Sequence, residues 1–163
     1  MKMDLIESWK QETLNRIDGK LKILTLLSRK NKEEVDQIAA KTHEGVFNEI
    51  DCLACANCCK TTPALLTEVD IKRIAKYLKI SPGLFERKYV LRDVNGDLSF
   101  KKIPCVFLEK DNKCKVYEVR PEACKDYPHT SAPGFLNRKR IHKENISICP
   151  AVFHILDRME QKS

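Results

Sequence analysis

The sequence predicts an α+β, mainly helical chain: a small irregular domain with one or two short β-hairpins, preceded by an N-terminal helical hairpin. Three observations carry this. Apolar residues in the first third recur at three-to-four-residue steps, the period of an amphipathic helix. An Asn95-Gly96 pair stands between two runs rich in β-formers, the signature of a tight antiparallel hairpin. Eight cysteines are present, four of them within residues 52–59, and such a cluster favours a compact, loop-rich centre over a large apolar core.

At 163 residues the chain is long enough for one domain with a modest core. Residues 1–50 are read as a helical extension of the same unit, and 51–163 as the cysteine-bearing domain. Apolar residues make up 42% and charged residues 33%, which fits a globular chain and excludes a disordered one. The longest apolar stretch, 21–27, is interrupted by Lys22 and falls far short of the ~20 residues a membrane span requires. Acids at Asp4 and Glu7 interrupt what a signal peptide would need as an apolar core, so a reducing cytosolic location is expected. In that compartment clustered thiols bind metal or do chemistry rather than pair as disulfides. The net charge of +7 is scattered. Its one concentrated run, 137–143, has no aromatics for base stacking and reads as a solvated loop, so no nucleic-acid partner is expected.

Residues 4–50 read as two helices. Leu5, Trp9, Ile17, Leu21, Leu24 and Leu27 line the first; Val35, Ile38, Ala39, Val46 and Phe47 line the second. The polar gap 28–32 ends in Asn31, an N-cap with Glu34 three residues on. Gly19 weakens the first helix without ending it. Two such helices cannot bury both faces alone, so the pair is expected to cover the cysteine domain or to dock a protein partner.

Beyond the cluster, Thr67 and Asp70 form an N-cap and its N3 partner for a helix with Val69, Ile71, Ile74 and Leu78 on its apolar face. Ser81-Pro82 opens another, with Leu84, Phe85 and Tyr89 buried. Residues 90–94 and 98–103 form a hairpin about a two-residue type I′ turn at Asn95-Gly96. A second hairpin, turning at 109–113, brings Cys105 and Cys114 together. Pro121 opens a single helical turn bearing Cys124. Residues 129–145 read as a loop, and Cys149-Pro150 starts a last helix with Val152, Ile155, Leu156 and Met159 inward.

Cys-only sites suit zinc, iron or iron–sulfur clusters, because soft thiolates select these metals. A tetrahedral zinc holds its sulfurs at about 2.3 Å. Were 52–59 one straight helix, its ends would lie about 10 Å apart at ~1.5 Å per residue, so one ion could not collect all four thiols and the segment must loop. Adjacent side chains diverge, so Cys58 and Cys59 face different places. Both halves of the sequence therefore contribute to a shared binding region, as two ions or as one polynuclear cluster. The candidate metal ligands are Cys52, Cys55, Cys58, Cys59, Cys105, Cys114, Cys124 and Cys149. His129 and His142 are read as ordinary loop histidines rather than ligands. The spacing Cys52-x-x-Cys55-x-x-Cys58 with a distant Cys149-Pro150 echoes a ferredoxin run, although Cys59 intervenes and Cys149 is remote.

Cys-x-x-Cys-x-x-Cys-Cys at 52–59, Leu66-Thr67-x-x-Asp70-Ile71, Pro104-Cys105-x-Phe107-Leu108 and Cys114-x-Val116-Tyr117-x-x-Arg120-Pro121-x-x-Cys124 together resemble the YkgJ-like cysteine-cluster family, named for zinc or iron chelation. The resemblance covers residues 51–149 and leaves the N-terminal helices outside. It implies that the eight cysteines are metal ligands and that Arg120-Pro121 is the family's turn ahead of Cys124. Lys125 and Tyr127 stand where many members have Arg and Phe, which puts any role of that arginine in doubt. Some relatives are linked with protein lysine methylation. This chain has no glycine-rich loop for a nucleotide-like cofactor, so that activity is not carried over.

The expectation is thus a cytosolic metal-binding protein, holding zinc or iron in a structural or metal-handling role. The alternatives are an iron–sulfur protein with a redox or catalytic role, and a metal-stabilised module whose N-terminal helices bind a protein. No catalytic residue is singled out: Glu68, Asp70 and Asp126 read as helix-start or surface acids.

Overall fold

The computed structural model describes residues 4–162. In chain order its elements are α1 (Leu5–Leu27), α2 (Lys32–Phe47), α3 (Cys52–Cys55), α4 (Asn57–Thr61), β1 (Leu65–Leu66), α5 (Glu68–Tyr77), α6 (Pro82–Tyr89), β2 (Val90–Arg92), β3 (Leu98–Phe100), α7 (Glu122–Asp126), α8 (Lys139–Asn145) and α9 (Pro150–Lys162), with 3-10 turns at Tyr117–Val119 and Phe135–Arg138. The fold is α+β and mainly helical. Its contacts divide the chain into two compact units, Met1–Cys52 with Pro128–Ser163, and Leu53–Tyr127. The C-terminal segment therefore groups with the N-terminal helices, a division different from the sequence boundary at 50/51.

The first unit is built on α9. Val152, Ile155, Leu156 and Met159 are fully buried, as the period of the last helix requires, but so are Phe153 and nearly so Ala151 and His154. A helix buried on this many sides is central, and α1 and α2 both pack against it. Each large apolar side chain so buried contributes about 1.5–3 kcal/mol. Asn31 caps α2 by accepting from the Glu34 amide at 3.0 Å, and Gly19 leaves α1 uninterrupted. The expected loop 129–145 is a loop only in its first half. Phe135 and His142 are buried there and their rings stack with centroids 4.1 Å apart, so packing makes helix α8 where no apolar period announced one. Asp36 of α2 fixes the start of this region, its two carboxylate oxygens accepting from the amides of Gly134 (2.7 Å) and Phe135 (2.8 Å).

The second unit packs α5 and α6 beside a three-stranded antiparallel sheet of order β1-β3-β2. Thr67 and Asp70 form the full capping box at the start of α5, and Ser81 caps α6 with Pro82 at the first helical position. Ile71, Ile74 and Phe85 are sealed in the core. Val69 is not: at 68% exposed it lies in the first turn on the outer side, and Ala75 takes the inward place. The β2–β3 connection also differs from the two-residue type I′ turn expected. That turn needs positive φ at both central residues. Here Gly96 has φ 88° while Asn95 is not among the residues with positive φ, and Asp93 N–H donates to Asp97 C=O at 2.9 Å around a longer loop. The Asp93 carboxylate accepts from the amides of Asn95 and Asp97 and stabilises the wider turn. Strand β1, paired through Leu65–Ser99 and Leu66–Leu98, has only two residues and gave no period to read.

Candidate metal centre

Residues 52–59 are broken as the reach argument requires. Ala56, buried and left-handed at φ 48°, separates α3 from α4, so the stretch turns between Cys55 and Cys58 instead of running straight. Helix α4 carries Cys58 and Cys59, and the Lys60 side chain donates to the Cys55 carbonyl at 3.2 Å.

From Cys59 a set of backbone hydrogen bonds ties three cysteines together. Cys105 N–H donates to the Cys59 carbonyl at 2.8 Å, and Leu108 N–H to the Cys105 carbonyl at 3.0 Å. Leu108 in turn forms an antiparallel bridge with Cys114. The intervening turn closes through Glu109 N–H to Lys113 C=O at 2.8 Å, with Asn112 left-handed at φ 64°. Phe107, two residues past Cys105, is buried among Phe85, Tyr89 and Phe100, so the aromatic core fixes where the Cys105 turn lies. Cys124 arrives separately, on the single turn α7, its amide donating to the Pro121 carbonyl at 2.9 Å.

The thiols feel one another. Burial pushes the Cys105 and Cys114 thiols up, and the negative charge of a Cys59 thiolate pushes them further. Cys124 is pushed up to about 12, first by burial and then by Cys59, Cys105 and Cys114. Cys59 moves the other way, down to about 7, because the Cys58 thiol hydrogen-bonds its sulfur and Lys60 adds positive charge; the vicinal pair, expected to diverge, instead lies sulfur to sulfur on the short helix α4. Backbone amides point at two of these sulfurs: Phe107 and Leu108 donate to Cys105, and Val116 to Cys114, which favours their thiolates. Cys59, Cys105, Cys114 and Cys124 thus share one electrostatic locus in which ionisation of one thiol opposes that of the others, and a soft divalent cation would remove that conflict. The donor set fits zinc or iron. Among the described residues, no three His, Cys, Asp or Glu side chains stand in the spacing of a closed metal site.

The remaining cysteines are placed as follows. Cys55 on α3 is half-buried, Cys52 is exposed, and Cys149 is buried at the head of α9 in the first unit. His142 stacks on Phe135 and its Nε2 meets the Phe135 carbonyl at 3.1 Å, a structural histidine. Glu68 sits 3.6 Å from Arg92. Asp70 does more than start its helix: its Oδ1 also accepts from Glu122 N–H at 3.2 Å, a bond across the fold that local pattern could not announce.

A family model described as "CxxCxxCC: Putative zinc- or iron-chelating domain" matches residues 51–150. The chain belongs to this family. The match spans all eight cysteines, and zinc or iron chelation is the property that the family's description gives to the domain. A protein of Methanocaldococcus jannaschii, named "Uncharacterized protein MJ0661", is 37% identical over 83 residues, which are 48% of this chain and 44% of that protein. The chain thus spans less than half the length of the curated relative it matches. No solved structure matches.

Proposed function

We propose that this CxxCxxCC chain binds a zinc or iron ion through the thiolates of Cys59, Cys105, Cys114 and Cys124, and that the ion mainly holds its own unit together. The backbone ties that bring Cys59, Cys105 and Cys114 together carry the reading, with Cys124 within electrostatic reach of all three in support. They come from α4, the turn after β3, the partner side of that turn, and α7, segments with little regular structure of their own. A tetrathiolate ion would lock them with a folding contribution on the order of 10 kcal/mol. Cys52, Cys55, Cys58 and Cys149 are proposed as further ligands on their sequence spacing alone. The same donors would hold an iron–sulfur cluster. No helix among the described residues is long and apolar enough to cross a membrane, and a cytosolic setting, which keeps thiols reduced, suits the chemistry.

Anaerobic purification followed by metal analysis and a visible spectrum tests this. The expected result is stoichiometric zinc or iron whose retention against a chelator falls at least about tenfold in Cys124→Ser. Brown protein with inorganic sulfide redirects the reading to a cluster. A chain that takes up neither zinc nor ferrous iron under reducing, oxygen-free conditions sinks it.

A further inference from the structure

We propose that Asp70 and Arg73 of α5 are positioning residues for the metal centre, acting as a clamp that sets where Cys124 lies; this rests on the tetrathiolate reading above. A capping box needs only two bonds, the Thr67 hydroxyl to the N3 amide and the N3 side chain to the Thr67 amide. Asp70 makes these through Oδ2 and Thr67, at 2.8 Å to the amide and 2.7 Å to the hydroxyl, with its own N–H on Thr67 Oγ1 at 3.1 Å. Its second oxygen does something a cap does not require. Oδ1 accepts from Arg73 Nη2 and from the amide of Glu122, the first residue of α7.

Arg73 completes the grip. Its Nη2 donates to the Arg120 carbonyl at 2.9 Å and its Nε to the Val119 carbonyl at 3.4 Å. One ion pair therefore holds three backbone groups of the turn that delivers Cys124. The pair is anchored, since Asp70 is 1% exposed and α5 is sealed into the core by Ile71 and Ile74. What it holds is not: α7 is a five-residue helix, too short to be stable alone. Cys59, Cys105 and Cys114 are linked by backbone hydrogen bonds, whereas the Cys124 amide bonds only locally, to Pro121. Beyond the packing of α7 on β1, the directed contacts that fix the turn carrying the fourth sulfur are those of the clamp. Burying the Asp70 carboxylate is a costly way to stabilise a fold, and the fork of directed donors on half-buried Arg73 is better explained by a need for fixed geometry. Partners of this kind around metal ligands typically change affinity 10–100-fold when removed.

The test uses the full-length chain loaded with zinc, and in parallel with cobalt(II), whose visible bands report the number of sulfur ligands. For wild type, Arg73→Ala, Arg73→Lys and Glu122→Gln, chelator competition gives affinity, and alkylation read by mass spectrometry gives the protection of each cysteine. The expected result is a 10–100-fold loss of affinity in Arg73→Ala, selective alkylation of Cys124 while Cys59, Cys105 and Cys114 stay protected, and a cobalt spectrum that loses one sulfur ligand. Arg73→Lys, which keeps the charge beside Asp70 but not the fork, falls between. Glu122→Gln, which keeps its amide and loses only the 3.5 Å carboxylate contact to Arg73, stays nearer to wild type than Arg73→Lys. Affinity and Cys124 protection within about twofold of wild type in Arg73→Ala overturn the clamp alone. So does simultaneous loss of protection at all four thiols, the mark of a merely structural role. Should Arg73→Ala fail to fold, Arg73→Lys decides by the same order of protection. A wild type in which metal protects none of the four thiols overturns the centre itself.

Discussion

Lys20 is 1% exposed, with its ammonium bonded to Asp157 and lying 3.9 Å above the Phe153 ring. Burial draws its pKa down, and Asp157 is the main influence holding it charged. Asp157→Ala would leave this ammonium buried without a counterion, a loss of about 3–5 kcal/mol. Lys20→Met would leave Asp157 with Arg16 at 3.1 Å and partial access to water, and is expected to lose less. Urea midpoints at neutral pH check the order, and a larger loss in Lys20→Met contradicts it. Nothing in the sequence singled out Lys20, because its partner is 137 residues away and a lysine on a helix is usually solvated. The candidate metal ligands were legible for the opposite reason. A cysteine's chemistry is intrinsic to its type, so eight of them announce a centre wherever they fold, while the coupling of Cys59 with Cys105, Cys114 and Cys124 needed coordinates. Arg73 was invisible in the same way as Lys20, since both its carbonyl partners lie more than 40 positions on.

At the level of elements, what could be read was what is decided locally. Asn31, Thr67 and Ser81 each accept from an amide three residues on, and a cap of that kind depends on residues the eye meets together. Elements decided at a distance were missed: β1 exists because β3 offers its edge, and α8 because Phe135 and His142 are packed. The β2–β3 turn is the intermediate case, where Asn95-Gly96 marked the hairpin but the Asp93 carboxylate selected a wider loop. That loop places its left-handed demand on Gly96 alone. At φ 88° with no atom within 4 Å of an added Cβ, Gly96→Ala meets backbone strain and no clash. The expected loss is about 1–2 kcal/mol. Asn95→Ala, which carries no positive φ, should lose less; equal midpoints for the two variants in denaturant would restore the type I′ turn.

Across the whole molecule the titratable chemistry is sorted between the two units. His43, His129, His142 and His154 all belong to the first, and the four coupled thiols to the second. Burial holds His43 and His154 below the usual histidine range and His142 down to about 4. Unfolded, each would titrate near 6.5, so as pH falls from 6.5 toward 4 the unfolded chain takes up protons that the folded chain refuses. Stability of the first unit is therefore complete above about pH 6.5 and declines below it, by on the order of 3 kcal/mol at pH 4 from His142 alone. The second unit lacks histidine, and on the proposed tetrathiolate reading its sensitivity would be to metal removal. The chain carries separate optical reporters for the two. Its one tryptophan, Trp9, is buried in the first unit with its indole N–H on the Ile146 carbonyl at 3.0 Å, whereas Tyr77, Tyr89, Tyr117 and Tyr127 all lie in the second. Acidification of metal-free protein at fixed sub-denaturing urea should shift Trp9 emission to the red between pH 6.5 and 4, and His142→Phe should move that transition to lower pH. Chelation at neutral pH should instead raise amide exchange within 53–127. A Trp9 transition that ignores pH over this range would mean that the histidines are charged in the folded chain, and the acid argument would fail at its first step.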